Sequence, residues 1–154
     1  MKKKLLVTLG VMVALVATSV VGVAVASMNA PKHPSDYHIG ISYDKAMKSD
    51  KPILALFYVD WCGYCVKFMP KYKMLNSVYG HKFNFVMVNA EDPTNKKLID
   101  NVSISGLPTV YILDPKYDNK VLLSNGIYYD MMKFRVELER YLRIRTLLDK
   151  ASKK

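Results

Sequence analysis

Four short runs of apolar residues stand out along the chain, at 53–59, 83–89, 109–114 and 120–124. The first of them, ILALFYV, contains no charged or amide side chain. A continuous apolar run of this length is typical of a strand that is buried on both faces of a sheet. The turn residues Asp118 and Asn119 separate the last two runs, which predicts a hairpin between the third and fourth strands.

The segments between these runs carry helix signals. A short helix is predicted at 42–49, and the Lys51-Pro52 turn ends it. A longer helix begins directly after the first strand and extends to about residue 78. Asp92 and Pro93 are a suitable N-cap and first-turn proline for a helix through residue 101. The last helix, at about 129–149, places apolar residues at i, i+4, i+7 and i+8, namely Phe134, Leu138, Tyr141 and Leu142.

Strands that alternate with helices imply crossover connections and therefore a parallel portion of the sheet. The hairpin between the last two strands adds an antiparallel edge. We therefore expect an α/β fold in which a central mixed β-sheet is flanked by helices on both sides.

The N-terminal segment differs from the rest of the chain. Three lysines at 2–4 precede an apolar run from Leu5 to Ala26, and the next charged residue is Lys32. This is the layout of a secretory signal with a small-residue cleavage site at 24–26, and the run is also long enough to remain as a membrane anchor. Cleavage is favoured over anchoring, and either outcome places the remaining chain outside the cytoplasm. The expected organisation is a leader or anchor at 1–26, a linker at 27–40, a domain at 41–149 and a basic tail at 150–154.

The net charge is +10, and three of the 23 basic residues lie in the leader, which leaves 20 Lys and Arg against 13 Asp and Glu. This excess could favour acidic partners or an anionic membrane surface, but a soluble basic surface is the preferred interpretation. The chain has no arginine-rich tract and no basic stretch interleaved with aromatics, so nucleic acid is not an expected partner. No second CxxC pair accompanies the first, and His33, His38 and His81 have no ligand spacing, so neither zinc nor another cofactor is expected.

The only two cysteines, Cys62 and Cys65, lie three residues apart in DWCGYC, directly after the first predicted strand. A disulfide that stabilises a fold usually closes a longer loop, so the spacing favours redox chemistry. At a strand-to-helix turn, free backbone N–H groups and the helix dipole stabilise a thiolate, which is the form that attacks disulfides. Cys65, one turn further along the helix, can then attack the mixed disulfide formed by Cys62.

Neighbouring residues support the same interpretation. Trp61 is expected to form a flat apolar wall for substrate, with simple core packing as the alternative. Gly63 leaves the backbone above the thiol uncrowded, and Tyr64 completes the motif. Pro70 lies inside the following helix, and SGLPT at 105–109 places Pro108 at the start of the third strand, where a cis peptide bond can be built.

Residues 41–146 resemble a thioredoxin-fold domain, which has WCxxC after a central strand, a proline eight positions beyond the first cysteine and a cis-proline loop, here Leu-Pro-Thr. The sequence KPILALFYVDWCGYCVKF is most similar to exported or membrane-tethered reductases, including the C-terminal domain of the thiol:disulfide interchange proteins. The resemblance implies a three-layer fold, a redox disulfide between Cys62 and Cys65, and Pro108 as the cis residue that faces them. It also implies that the backbone of Leu107 pairs with an extended substrate segment, alongside contributions from Trp61, Gly63 and Tyr64.

Two positions depart from the family pattern. Thioredoxins usually carry a buried aspartate six positions before the first cysteine, where this chain has Leu56, and the lysine on the next strand is replaced by Met87. Proton transfer from Cys65 must therefore use water or another group, for which Asp60 and Glu91 are candidates.

The leading hypothesis is an exported thiol:disulfide oxidoreductase that reduces cysteines of other extracytoplasmic proteins and draws electrons from a membrane or extracytoplasmic donor. CGYC also resembles the motif of disulfide isomerases, which together with oxidases form an alternative. A further alternative is a redox-inactive chaperone that holds extended peptides in the groove of the fold. Copper handling by the two thiolates is a third possibility, which lacks an evident third soft ligand.

Overall fold

The computed structural model describes residues 31–152, and the predicted leader lies outside the described residues. Short 3₁₀ helices form at Pro34–Tyr37, Pro93–Asn95 and Pro115–Tyr117. The α-helices are Tyr43–Met47 (α1), Gly63–Tyr79 (α2), Lys96–Asp100 (α3), Asn125–Tyr128 (α4) and Met131–Ala151 (α5). The strands are Ile53–Tyr58 (β1), Asn84–Asn89 (β2), Thr109–Asp114 (β3) and Asn119–Leu123 (β4).

The four strands form one mixed sheet in the order β2-β1-β3-β4. β1 pairs in parallel with β2, and β3 pairs antiparallel with both β1 and β4. The predicted parallel portion and antiparallel hairpin edge are thus confirmed. β1 is the inner strand from which α2 departs, so its C-terminal end lies between the loops that follow β2 and precede β3.

Alternate residues of β1 face two separate cores. Leu54 and Leu56 pack against α2 and α5 on one face of the sheet, through a cluster that includes Phe68, Tyr72 and Phe134. On the other face, Ile53, Ala55 and Phe57 pack against residues of α1 and α3. Every residue of β1 is buried, as its uninterrupted apolar sequence predicts. The three-layer α/β architecture is therefore confirmed.

Part of the predicted linker, 27–40, is structured and packs on the domain. Pro34 and Ile39 are buried, and Ile41 N–H donates a hydrogen bond of 2.9 Å to the carbonyl of Phe85 on β2. Gly40 has φ of +82°, and a Cβ at this position would lie 2.0 Å from the Phe85 carbonyl oxygen. Glycine is therefore required both by the backbone conformation and by the close approach to β2.

The predicted last helix is confirmed as α5, which begins at Met131 rather than at about residue 129. The short helix α4, which was not predicted, precedes it, and Asp130 lies between the two. The Asp130 carboxylate accepts hydrogen bonds from the N–H groups of Met132 and Lys133, which makes it the N-cap of α5. The predicted apolar stripe is confirmed, since Phe134, Leu138 and Tyr141 are buried.

Within residues 31–152, no helix has both the length and the apolar character needed to cross a bilayer.

Candidate active site

Cys62 and Cys65 form a disulfide bond at the N-terminus of α2. Cys62 is the N-cap residue of this 17-residue helix, and its Sγ accepts a hydrogen bond of 3.1 Å from the N–H of Cys65. Cys65 is fully buried, whereas Cys62 retains 8% exposure. The two cysteines are therefore unequal: both are buried, but only Cys62 keeps a small exposed fraction.

The position of Cys62 is suited to a thiolate. The first N–H groups of a helix have no partners within the helix, and its dipole is positive at this end. In the reduced protein, the bond from Cys65 N–H would reach a negatively charged Sγ, and such charge-assisted hydrogen bonds are stronger than neutral ones. The strand-to-helix turn therefore supplies the N–H groups and the dipole on which the predicted ionisation of Cys62 depends.

Trp61 and Tyr64 lie on either side of Cys62 and are largely exposed, with 75% and 68% of their surface accessible. Core packing is therefore wrong as an interpretation of Trp61. Its indole N–H donates a hydrogen bond of 2.8 Å to the carboxylate of Glu91, which follows β2. Gly63 is exposed and has open space around it. The surroundings of Cys62 are thus open and aromatic.

The loop before β3 lies on the other side of the cysteines. The Leu107-Pro108 peptide bond is cis, as predicted. Leu107 packs against the cluster formed by Tyr58, Val59 and the two cysteines. Within the described residues, neither the N–H nor the C=O of Leu107 forms a hydrogen bond. This backbone is therefore available to an extended peptide, which would add to it as a strand does.

Tyr128 of α4 forms a hydrogen bond with this loop. Its hydroxyl donates a hydrogen bond of 2.6 Å to the carbonyl oxygen of Pro108. The side-chain amide of Asn125 lies 2.8 Å from the same hydroxyl. Because a hydroxyl has one proton, the amide must present its NH₂ group to Tyr128, an orientation reached by rotating the amide end. Burial is the main cause that raises the pKa of Tyr128 to about 12, so the phenol stays protonated as a donor.

A groove of about 360 Å³ opens between Tyr64 and this loop. Leu107 and Pro108 form one wall, and the side chains of Tyr128 and Tyr129 contribute another. The groove is lined by the cis-proline loop and by Tyr64, which is two residues from Cys62. It is the natural place for the part of a substrate that flanks a reacting cysteine.

The two departures from the family pattern face each other in the structure. Leu56 and Met87 are paired neighbours in the register of β1 and β2. Leu56 is fully buried, and Met87 packs against the cluster that contains both cysteines. Met87 Sδ also accepts a hydrogen bond of 3.4 Å from Ile39 N–H. An apolar pair therefore occupies the position where the family has an aspartate and a lysine.

The two carboxylates that the sequence suggests as proton acceptors have other partners. Asp60 Oδ1 accepts a hydrogen bond of 3.1 Å from Ser35 N–H, and Glu91 binds Trp61. The backbone carbonyl of Asp60 also lies 3.3 Å from Nδ1 of His33. Asp60 therefore joins the N-terminal 3₁₀ helix to the loop that carries Cys62.

Three residues of the site escaped sequence analysis: Asn125, Tyr128 and Tyr129. They lie some 60 residues beyond the cysteines, just before and at the predicted start of the last helix. The consecutive tyrosines after Asn125-Gly126 carry no motif that would assign them to the cis-proline loop. Within residues 31–152, no group of three or more His, Cys, Asp and Glu side chains could hold a metal ion.

Comparison with known proteins gives a consistent result. The Thioredoxin family model matches residues 37–125, which is more than half of the chain. The chain is 31% identical over 74 residues to the chloroplastic thioredoxin-like protein HCF164 of Arabidopsis thaliana, covering 48% of this chain and 28% of that protein. It is 34% identical over 91 residues to protein disulfide-isomerase A4 of Bos taurus, covering 58% of this chain and 14% of that protein. The chain thus spans less than a third of the length of these relatives.

Solved structures agree with the fold. A chain in the crystal structure of the ferredoxin:thioredoxin reductase and thioredoxin f2 complex is 25% identical, with a TM-score of 0.51, over 65% of this chain and 92% of that chain. Thioredoxin f from spinach chloroplast, in its long form, is 24% identical with a TM-score of 0.51, over 65% of this chain and 84% of that chain. The family match includes the CxxC pair and the cis-proline loop, and the observed sheet order and disulfide agree with it. The chain belongs to the thioredoxin family.

Proposed function

We propose that this protein is a thiol:disulfide oxidoreductase that exchanges the Cys62–Cys65 pair with cysteines of proteins outside the cytoplasm. The observation that carries the proposal is the position of the pair: Cys62, which keeps a small exposed fraction, caps the N-terminus of α2, and the fully buried Cys65 donates its N–H to Cys62 Sγ. An accessible nucleophile and a protected resolving thiol are the two groups that disulfide exchange requires.

In the reductive direction, the Cys62 thiolate attacks one sulfur of a client disulfide. A mixed disulfide forms, and the other client sulfur leaves as a thiolate. Cys65 then loses its proton and attacks Cys62 Sγ, which releases the second client thiolate and forms the Cys62–Cys65 disulfide. Two electrons pass from the protein to the client, and two protons are needed to convert the two client thiolates to thiols.

The proton of Cys65 cannot go to a carboxylate at position 56 or an amine at 87, because Leu56 and Met87 occupy these places. The first client thiolate, released beside the site, has a basicity comparable to that of Cys65 and can accept the proton, and a water molecule that enters when the client binds can relay it to a base in the solvent. Release of the client from the mixed disulfide would then depend on the client or on solvent more than it does in thioredoxins that have the buried aspartate.

The reductive direction is favoured because Leu107-Pro108-Thr109 matches the reductase pattern. A reductase needs a dithiol donor that renews the Cys62 and Cys65 thiols, which we place at the membrane or in the same extracytoplasmic compartment. The basic and apolar leader at 1–26 supports export, with residues 5–26 as a tether if it is retained. Isomerase activity is a second candidate, favoured by the CGYC motif and the similarity to protein disulfide-isomerase A4.

The purified full chain, fully reduced and freed of reductant, should reduce the disulfides of insulin in stoichiometric amounts. The Cys62→Ser/Cys65→Ser variant serves as the control and should have no effect. Equilibration with glutathione buffers then gives the reduction potential of the Cys62–Cys65 couple, which indicates the direction of electron transfer. A potential of about −270 mV is expected for a reductase and one of about −180 mV for an isomerase. Failure to reduce insulin or any small disulfide would rule out the proposal and leave the fold as a peptide-binding module.

A further inference from the structure

The charges around the disulfide are distributed unequally. On the β3 side lies the groove between Tyr64 and the cis-proline loop, and none of its lining residues is acidic. On the β2 side lie Glu91 and Asp92, which follow β2 directly. The sheet order β2-β1-β3 places these two regions on opposite sides of the strand that leads to Cys62.

Two lysines stand at the edge of the groove. Lys67 Nζ lies 5.8 Å from the centroid of the Tyr64 ring, and Lys71 Nζ lies 5.9 Å from that of Tyr129. Lys71 also donates a hydrogen bond of 2.8 Å to the carbonyl of Tyr129. The two residues are four positions apart on α2 and therefore share one helix face.

The positive charge of these lysines is not neutralised by the protein. In the part of the chain that the structure describes, no carboxylate lies within ion-pair distance of either Nζ. Asp130, which follows the groove residue Tyr129 in sequence, accepts hydrogen bonds from two N–H groups of α5, and its carboxylate lies 3.7 Å from Lys133 Nζ. Asp130 therefore has its own partners, and the groove retains a net positive edge.

From this arrangement we infer that the groove selects client segments with an aspartate or glutamate beside the reacting cysteine. The inference rests on the proposed function and specifies its substrate class. The tyrosine rings hold the extended segment, and the two ammonium groups attract its carboxylate. A basic client segment in the groove is repelled by these two lysines. An attractive carboxylate for its cations, that of Glu91, lies on the opposite side of the disulfide.

Charge selection at a site of this exposure acts mainly on the encounter rate and weakens as salt screens it. We expect the second-order rate constant for an acidic peptide to exceed that for a basic peptide by about 3- to 10-fold at low ionic strength. The ratio should fall toward one at about 0.5 M salt, where the screening length is only a few ångströms.

The test measures single-turnover reduction of short peptides by the reduced full chain. Each peptide has one cysteine, held in a mixed disulfide with the same chromogenic thiol, and carries Asp, Ser or Lys at the flanking positions. The variant is Lys67→Gln/Lys71→Gln. The matched control, Lys73→Gln/Lys150→Gln, removes the same charge from exposed positions outside the groove.

The inference requires that the rate constant fall in the order Asp, Ser and Lys peptide in the wild type and in the control. In the Lys67→Gln/Lys71→Gln variant, the rate constant for the Asp peptide should exceed that for the Lys peptide by less than about twofold at low salt. Equal rates for all three peptides in the wild type would overturn it while leaving the proposed function standing. An acidic preference that survives in the variant would also overturn it. If no peptide is reduced by any form of the protein, the proposed function itself is wrong.

Discussion

The hydroxyl of Tyr128 donates a hydrogen bond of 2.6 Å to the carbonyl oxygen of Pro108, and so connects α4 with the loop that faces the disulfide. Tyr128 is almost fully buried, and its ring packs edge-on against Phe68 of α2 with a centroid distance of 5.4 Å. A single side chain thus contacts both elements that form the site. It is a positioning residue, because it acts on the cis-proline loop rather than on a reacting sulfur.

Replacing Tyr128 with Phe should remove this bond and leave the Pro108 carbonyl without a partner. We expect the free energy of unfolding to fall by about 1–3 kcal/mol, the cost of an unsatisfied buried acceptor. Disulfide exchange should slow by about 3- to 10-fold, because the loop would no longer be held in one position. Chemical denaturation and stopped-flow reduction of a peptide disulfide measure the two effects.

Tyr141→Phe is the matched control for this prediction. Its hydroxyl donates to Asp114 at the far end of β3, roughly 20 Å along the strand from the cis-proline. The control should lose stability and keep the exchange rate of the wild type. An equal loss of exchange rate in both variants would show that Tyr128 contributes to stability alone.

Gly40→Ala should destabilise the domain although Gly40 lies in the segment predicted as a linker. The added Cβ would clash with the Phe85 carbonyl, and the positive φ would be strained. We expect a loss of about 1–3 kcal/mol in the free energy of unfolding. Gly126→Ala, where a Cβ meets open space, is the control and should be nearly neutral. A neutral Gly40→Ala would mean that residues before 41 do not pack on β2.

Most of the fold could be predicted from the sequence because its strands are apolar runs of strand length. The runs at 53–59 and 109–114 correspond to β1 and β3 within one residue. The packing of residues 33–40 could not be predicted, since it depends on a single glycine and on hydrogen bonds to Asp60 and Phe85, which are distant in sequence. The short helix α4 could not be predicted either, because its four residues are too few to show a helical periodicity.

The site was predictable to the extent that its residues belong to a motif. Cys62, Cys65 and Pro108 are marked by their neighbours in sequence, whereas Tyr128 and Lys71 reach the site only through the packing of α2 and α4. The hydrogen bond from Trp61 to Glu91 could not be predicted either, because it joins two loops that are distant in sequence.

Leu56→Asp should restore the carboxylate of the family pattern at a large cost in stability. Leu56 is fully buried beside Met87, so an unpaired charge there should lower the free energy of unfolding by about 3–5 kcal/mol. Adding Met87→Lys should recover at least about 1 kcal/mol, since the new ammonium can pair with the carboxylate. A double-mutant cycle by denaturant unfolding measures the coupling, and strictly additive losses would contradict the placement of these residues as neighbours.

Asp149 near the end of α5 should make stability depend on pH. Two hydrogen bonds to its carboxylate lower the pKa of Asp149 to about 2, and the one from Lys116 has a larger effect than the one from Tyr117. A carboxyl with a lowered folded-state pKa stabilises the fold above its ordinary pKa of about 3.8, and this stabilisation is lost as pH falls toward about 2.

Asp149→Asn should therefore be less stable than wild type at pH 6 and equally stable near pH 2. Asp118→Asn, at an exposed position in the β3–β4 turn, is the control, and its difference from wild type should not follow this profile. Urea unfolding across this range provides the comparison. A difference for Asp149→Asn that is constant with pH would exclude an effect of its charge.

The most direct test of the account concerns which sulfur attacks. Cys65→Ala and Cys62→Ala should each be incubated, reduced, with a disulfide-bonded client, and the products identified by non-reducing gel and intact mass. The account predicts that Cys65→Ala accumulates a covalent mixed disulfide through Cys62, because no resolving thiol remains, while Cys62→Ala forms little or none. Adducts that form through Cys65 as readily as through Cys62, or in neither variant, would contradict it.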